Sequence, residues 1–252
     1  MTVRELYEAL AARYPSALSA EWDNDGLACS ADPDRVAERV LCVLDVTEAA
    51  IDEAIRIRAD VILSHHPLLF HPLSSVTPDE SVGRRVVRLL GAGISVMSFH
   101  TRADAAVGGV NDLLCGALDI PSAEAFGEGN IGRVGMLNAE MTAKNFAEAV
   151  KKALGAPFVL CGDAGLPVRR VAVVGGSGKS EISAAIKAGA DTFLSGRLSY
   201  ETVNEAKEKG INLLEAGHFY TEALLPKHWA CELLPELGVE AEYFNTCRIV
   251  AI

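Results

Sequence analysis

The sequence has no apolar run of the roughly 18–20 residues that a membrane-spanning helix requires, which argues against a membrane protein. It has no Cys-x-x-Cys pair either. The six cysteines (Cys29, Cys42, Cys115, Cys161, Cys231 and Cys247) are scattered through 252 residues. That spacing does not describe a disulfide framework, and several of these thiols sit in apolar runs where cysteine packs as a small hydrophobe. The expected compartment is a reducing cytoplasm. No run of Lys and Arg is present, and 34 acidic against 23 basic side chains leave a formal net charge of −11. An acidic surface is repelled by phosphate backbones, so direct nucleic-acid binding is not expected. The N-terminal MTVRELYEALAARYP is amphipathic and mixed in charge, unlike a signal peptide.

What is present is an ordinary globular composition, 50% hydrophobic and 23% charged, arranged as a repeated rhythm. Thr2 with Glu5 forms a capping box, so a helix starts there and ends near Pro15. AEWDNDGLACS reads as a polar loop with a glycine turn. Short aliphatic runs at 39–45, 60–64 and 94–98 read as buried strands, with helices at 47–59, 80–91 and 108–118. The second half follows suit, with strands at 169–174, 191–195 and 211–216 and helices starting at 142, after GGSGKS, and at 200. A helix through 222–234 and a strand VEAEYF finish the chain. Each half is β-α-β-α-β, and such short aliphatic strands suit mostly parallel sheets flanked by helices. The expected fold class is α/β with two similar domains, 1–125 and 126–252, joined through 119–135. The last strand is free to return to the N-terminal domain.

In open parallel sheets, ligand sites lie beyond the carboxyl ends of the strands. His65 and His66 follow the strand DVILS. His100 and Asp104, in FHTRAD, follow ISVMS. His218 and Glu222, in GHFYTE, follow INLLEA. Four of the six histidines therefore fall where a site belongs, and two of the segments share the pattern H-x-x-x-[DE] from corresponding positions in the two halves. Imidazole and carboxylate together are ordinary ligands for zinc, manganese, iron, cobalt or nickel. Two cations can sit roughly 3.5–4 Å apart when carboxylates bridge them. His65 and His66, adjacent in an extended chain, are expected to point apart and serve different metals. His71 reads as a loop residue, and His228 as a helix-surface or packing histidine. GGSGKS at 175–180 imitates a phosphate loop, but the first glycine of that pattern would fall at 173, which is valine. It reads as a tight strand-to-helix turn whose amides could still hold an anionic group.

AEWDNDGL, LDVT, SHHPLLF, FHTRAD, GGVND, AVVGGSGKS with GADTFLSG, and EAGHFYTE, in this order and over almost the whole chain, resemble the NIF-three-like dinuclear metal-centre proteins. These are often called GTP cyclohydrolase 1 type 2 homologues. The resemblance implies two α/β domains with two divalent metal ions per chain in the cleft between them. It implies His65, His66, Asp104, His218 and Glu222 as the metal ligands, with His100 as a nearby group, and a toroidal homohexamer built as a trimer of dimers; beside a metal-activated water the His100 imidazole is a candidate proton shuttle. It implies a metal-dependent hydrolase acting on a nucleotide, GTP by its family name, or on a phosphoester. The alternative is a non-catalytic metal-binding or regulatory assembly working through protein partners. The chain departs from the family at SGRLSYE, where Arg197 and Glu201 replace an acidic residue and a histidine, and at Asp25, which interrupts an apolar position. A third domain found in some relatives has no room at 119–135.

Overall fold

The computed structural model describes residues 1–121 and 123–250. The chain forms two compact units. The first comprises Met1–Ala103 with Leu225–Arg248, and the second is built on Asp104–Leu224. The division falls inside one short helix, Thr101–Ala105. No helix among the described residues is long and apolar enough to cross a membrane.

The first unit is a five-stranded sheet. In chain order its strands are β1 (Gly26–Cys29), β2 (Arg39–Val43), β3 (Val61–Ser64), β4 (Ser95–Ser98) and, from the end of the chain, Glu240–Tyr243. Their order across the sheet is β1, β4, β3, β2, then the C-terminal strand. All neighbours are parallel except β1, which runs antiparallel to β4. The last strand pairs with β2, while GLAC, read from sequence as loop, is an edge strand. Polar neighbours on both sides of four residues conceal it. Leu41, Val43, Ile62 and Val96 bury one face of this sheet under Ile51, Ala54 and Leu89 of the helices Glu48–Ile57 and Ser81–Gly91. Thr47 caps the first of these helices through the Ala50 N–H, and the Thr2–Glu5 capping box closes the start of Val3–Arg13.

The second unit contributes β5 (Glu124–Phe126), β6 (Gly132–Met141), β7 (Leu160–Gly162), β8 (Val168–Ser177), β9 (Thr192–Arg197) and β10 (Asn212–Glu215), so the C-terminal strand is β11. Their order is β5, β6, β8, β9, β10, β7. The centre, β8-β9-β10, is parallel, and the strands at both margins are antiparallel. The stretch 119–135, expected to be a join, instead holds β5 and the start of β6. Glycines and polar residues hide their alternation. Successive side chains of β8 go to opposite faces. Val171 and Val173 meet Phe146 and Val150 of the helix Ala143–Leu154, whereas Ala172 and Val174 meet Ile182 and Ala185 of Ile182–Lys187.

The two units share a local device. ADVILS at 59–64 and ADTFLS at 190–195 each lead into a central parallel strand. In the first, the Asp60 carboxylate accepts the backbone N–H groups of Glu38 (2.9 Å) and Arg39 (3.1 Å) and the Arg35 guanidinium (2.8 Å). In the second, Asp191 accepts the N–H groups of Arg169 and Arg170. Each aspartate fixes where the neighbouring strand begins, and so sets the register at whose far end the histidines stand.

Charge-assisted hydrogen bonds to buried groups contribute about 1.5–3 kcal/mol each, less what water recovers. Asp60→Ala should therefore lower unfolding free energy by roughly 2–3 kcal/mol in urea titration. Asp34→Ala, which removes an exposed partner of Arg4, should change it by less than about 1 kcal/mol. Equal effects would remove the anchoring role.

Candidate metal centre

At the carboxyl end of β3 the chain bends. The N–H groups of His65 and His66 still donate to Val43 and Leu44 of the neighbouring strand. Because the strand has ended, the two rings do not diverge to opposite faces as an extended chain would require. They lie side by side, with ring centroids 5.1 Å apart. His100, which follows β4, brings its ring to 5.3 Å from His65 and 5.6 Å from His66. One ring nitrogen from each of the three lies within 4.8 Å of the others.

All three imidazoles are held the same way. His65 Nδ1 bonds the Phe99 carbonyl (2.9 Å), His66 Nδ1 bonds Asp45 Oδ1 (2.7 Å), and His100 Nδ1 bonds Asp23 Oδ1 (2.9 Å). Carbonyl and carboxylate oxygens only accept, so each Nδ1 carries a proton and, in the neutral ring, each Nε2 bears the lone pair. A histidine held at one nitrogen by an acceptor, with the other nitrogen as Lewis base, is the arrangement that metal-ligating imidazoles adopt.

Asp23 and Asp45 were not recognised as site residues from sequence. Their signals are the Trp22-Asp23-Asn24 segment, which reads as part of a polar loop, and LDVT. The Asp23 side chain is fully buried and also accepts the Thr101 N–H (3.0 Å) and hydroxyl (2.6 Å). Burial works against its charge, but the hydrogen bonds from His100 and Thr101 outweigh it, and the carboxyl is held well below the usual carboxylate range. Asp25, the departure from the family pattern, has a structural task. Its carboxylate accepts the His100 N–H (3.0 Å), Arg102 Nε (2.9 Å) and the Ser19 hydroxyl (3.1 Å). Arg102 is buried, with its guanidinium 4.5 Å from the Phe99 ring centroid. The loop 19–25 thus clamps the segment that begins with His100.

In the second unit, Asp104 and Glu222 are both buried and bring a carboxylate oxygen each to within 4.8 Å. His218, one turn before Glu222 on the helix His218–Glu222, places Nε2 2.9 Å from Glu222 Oε2. Two anions this close and out of water call for positive charge between them. A divalent cation fits both this pair and the three imidazoles. His71 lies in an exposed loop, and His228 bonds Glu232 on its own helix (3.1 Å), so neither joins these groups.

The GGSGKS turn takes another role than anion binding. The amides of Gly175, Gly176 and Gly178 donate to Asn111 Oδ1, Thr221 Oγ1 and Ser195 Oγ, and so face inward. What the turn supplies is closeness. Gly176 has φ +60°, and a Cβ there would overlap Glu222 Oε1. Lys179 points out to Ser199 (3.2 Å) and Glu201 (3.7 Å), and Arg197 is exposed.

Gly176→Ala should lower Tm by more than Gly155→Ala, which adds the same strain (φ +63°) in open space. The strain alone is worth about 1–2 kcal/mol, or roughly 2–8 °C. Equal shifts in thermal melts would mean that Glu222 yields without cost.

A family model described as Duf34/NIF3 (NGG1p interacting factor 3) matches residues 1–247. A Clostridium perfringens protein named GTP cyclohydrolase 1 type 2 homolog is 36% identical over 215 residues, 82% of each chain. A Schizosaccharomyces pombe protein named Protein NIF3 homolog is 32% identical over 238 residues, 88% of this chain and 84% of the other. The crystal structure of a Bacillus cereus protein related to NIF3 superposes with a TM-score of 0.90 at 23% identity, covering 100% of this chain and 99% of that one, a likeness of fold. With its whole length matched and its two α/β units in place, the chain belongs to the Duf34/NIF3 family.

Proposed function

We propose that His65 and His66, together with Asp104, His218 and Glu222, hold two divalent metal ions per chain and that this centre hydrolyses a nucleotide or another phosphoester. The observation that carries the reading is the common Nδ1 anchoring of the imidazoles, which leaves Nε2 of His65 and His66 to a metal and Nε2 of His100 to a proton. The buried carboxylates of Asp104 and Glu222 supply the charge that a dication pair needs. Bound there, two divalent cations would polarise a substrate oxygen and acidify water.

The chain's own groups do the rest. His100 Nε2 moves the proton, since the lone pair of a neutral imidazole accepts one there and the protonated ring can give it back. Asp23 holds the ring in the tautomer that leaves Nε2 able to accept. The relatives are named GTP cyclohydrolase 1 type 2 homolog, which makes GTP the first nucleotide to test as substrate. The assembly we propose is a toroidal homohexamer, a trimer of dimers, in the cytoplasm. A second reading draws on the family description itself, an interacting factor: a metal-bound assembly that works through a protein partner without turnover.

Protein purified without chelators or a nickel column should carry close to two metal ions per chain by elemental analysis. His65→Ala should lose at least one of them, and a metal-free wild type would remove the premise of both readings. Metal-loaded protein should turn over GTP or a phosphoester. Glu222→Ala should fall to background, and Asp23→Asn should reduce kcat by about 10²-fold with metal content unchanged. No turnover above the Glu222→Ala background, with metal retained, would leave the partner-binding reading in its place.

A further inference from the structure

Beside the three histidines lies a feature that metal binding does not use. Trp22 is 65% exposed, an unusual position for an indole, and Phe70 is 38% exposed. Trp22, Phe70 and His100 form a near-equilateral triangle of rings. Their centroids are 6.1 Å apart for Trp22–Phe70, 6.2 Å for Trp22–His100 and 6.1 Å for Phe70–His100, all edge to face. The triangle is built rather than incidental. Asn24 Nδ2 donates to the Leu69 carbonyl, tying the loop of Trp22 to the turn of Phe70. Asp23, next to Trp22 in sequence, is locked to His100 and Thr101. An indole held this firmly, with most of its surface in water, keeps a ring face open.

We propose that this triangle is a stacking shelf for the planar heteroaromatic base of the substrate, with Trp22 as the residue that selects base-bearing compounds over simple phosphoesters. The proposal rests on the hydrolase reading above and narrows it to one substrate class. Stacking requires only a π-face and tolerates any base, and it operates without phosphate contacts, which the acidic chain does not favour. His100 belongs to both groups. Because the rings stand edge to face, a base stacked on the face of Trp22 has Phe70 and His100 at its margin, beside the ring proposed to move the proton.

Fluorescence tests this directly, because the chain has two tryptophans and the other, Trp229, is fully buried and donates to the Tyr14 hydroxyl. GMP should quench the exposed emission, in chelator-treated protein or in protein loaded with zinc, which does not itself quench. Ribose 5-phosphate, the same sugar phosphate without a base, should not. Trp22→Ala should weaken GMP binding in equilibrium dialysis roughly 10- to 100-fold, and Trp22→Phe should restore most of it. Ribose 5-phosphate binding as tightly as GMP, or Trp22→Ala binding GMP unchanged, would overturn the shelf. So would a Trp22 already shielded from acrylamide in nucleotide-free protein, the mark of a second copy covering it. Metal content and hydrolysis of a base-free phosphoester by Trp22→Ala report on the hydrolase reading separately. Absence of metal and turnover in the wild type sinks that reading, whereas intact metal and base-free turnover in Trp22→Ala with unchanged GMP binding sink only the shelf.

Discussion

The hydrogen bonds at the Nδ1 atoms of His65, His66 and His100 are the interactions on which the rest of the site depends. An imidazole has two nitrogens and, when neutral, one proton, so an acceptor at one nitrogen decides what the other can do. Here the acceptors are a carbonyl of the next strand and two carboxylates from loops that follow or precede a strand. Each is placed by sheet register, and the register starts at Asp60. The chain of cause therefore runs from an aspartate at one end of the sheet to lone pairs at the other.

Comparison of the two units shows how one plan was put to two uses. ADVILS continues into His65 and His66, whereas ADTFLS continues into Gly196 and Arg197. A Cβ at Gly196 would overlap the Thr221 hydroxyl, so the second unit gives up a side chain at the position of His65 in order to seat its own helix His218–Glu222. The pattern H-x-x-x-[DE] follows β4 and again β10. The histidine of one is paired with a distant aspartate, Asp23, and the histidine of the other with its own glutamate, Glu222. A shared pattern in sequence has thus become an oriented base in one unit and a carboxylate–imidazole pair in the other.

Much of this was legible beforehand. The long helices announced themselves by apolar period and by Thr2, Thr47 and Thr142 at their caps. The central strands did so by aliphatic runs buried on both faces, and strand-end placement selected His65, His66, His100, Asp104, His218 and Glu222. What sequence concealed was of two kinds. Marginal strands such as β1, β5 and the start of β6 are short or glycine-rich, and their pairing is decided by the neighbour across the ladder. The groups that orient the histidines act over long separations: Asp23 reaches His100 and Asp45 reaches His66, contacts that no local spacing encodes. The expected divergence of His65 and His66 failed for a related reason, because alternation holds only while the strand lasts, and β3 ends at Ser64.

The return of β11 to lie beside β2 has a consequence for how the molecule is made. The second unit is built on the stretch Asp104–Leu224, whereas the first is open until Glu240–Tyr243 arrives to complete its sheet, about 200 residues after β2. On a ribosome the later-encoded unit can close first, while the earlier-encoded one waits with the outer edge of β2 uncovered. A nascent sheet with an unpaired edge is a template for unwanted pairing. The apolar strand RVLCV that forms this edge should make synthesis, rather than the finished fold, the moment at which the protein most needs a chaperone.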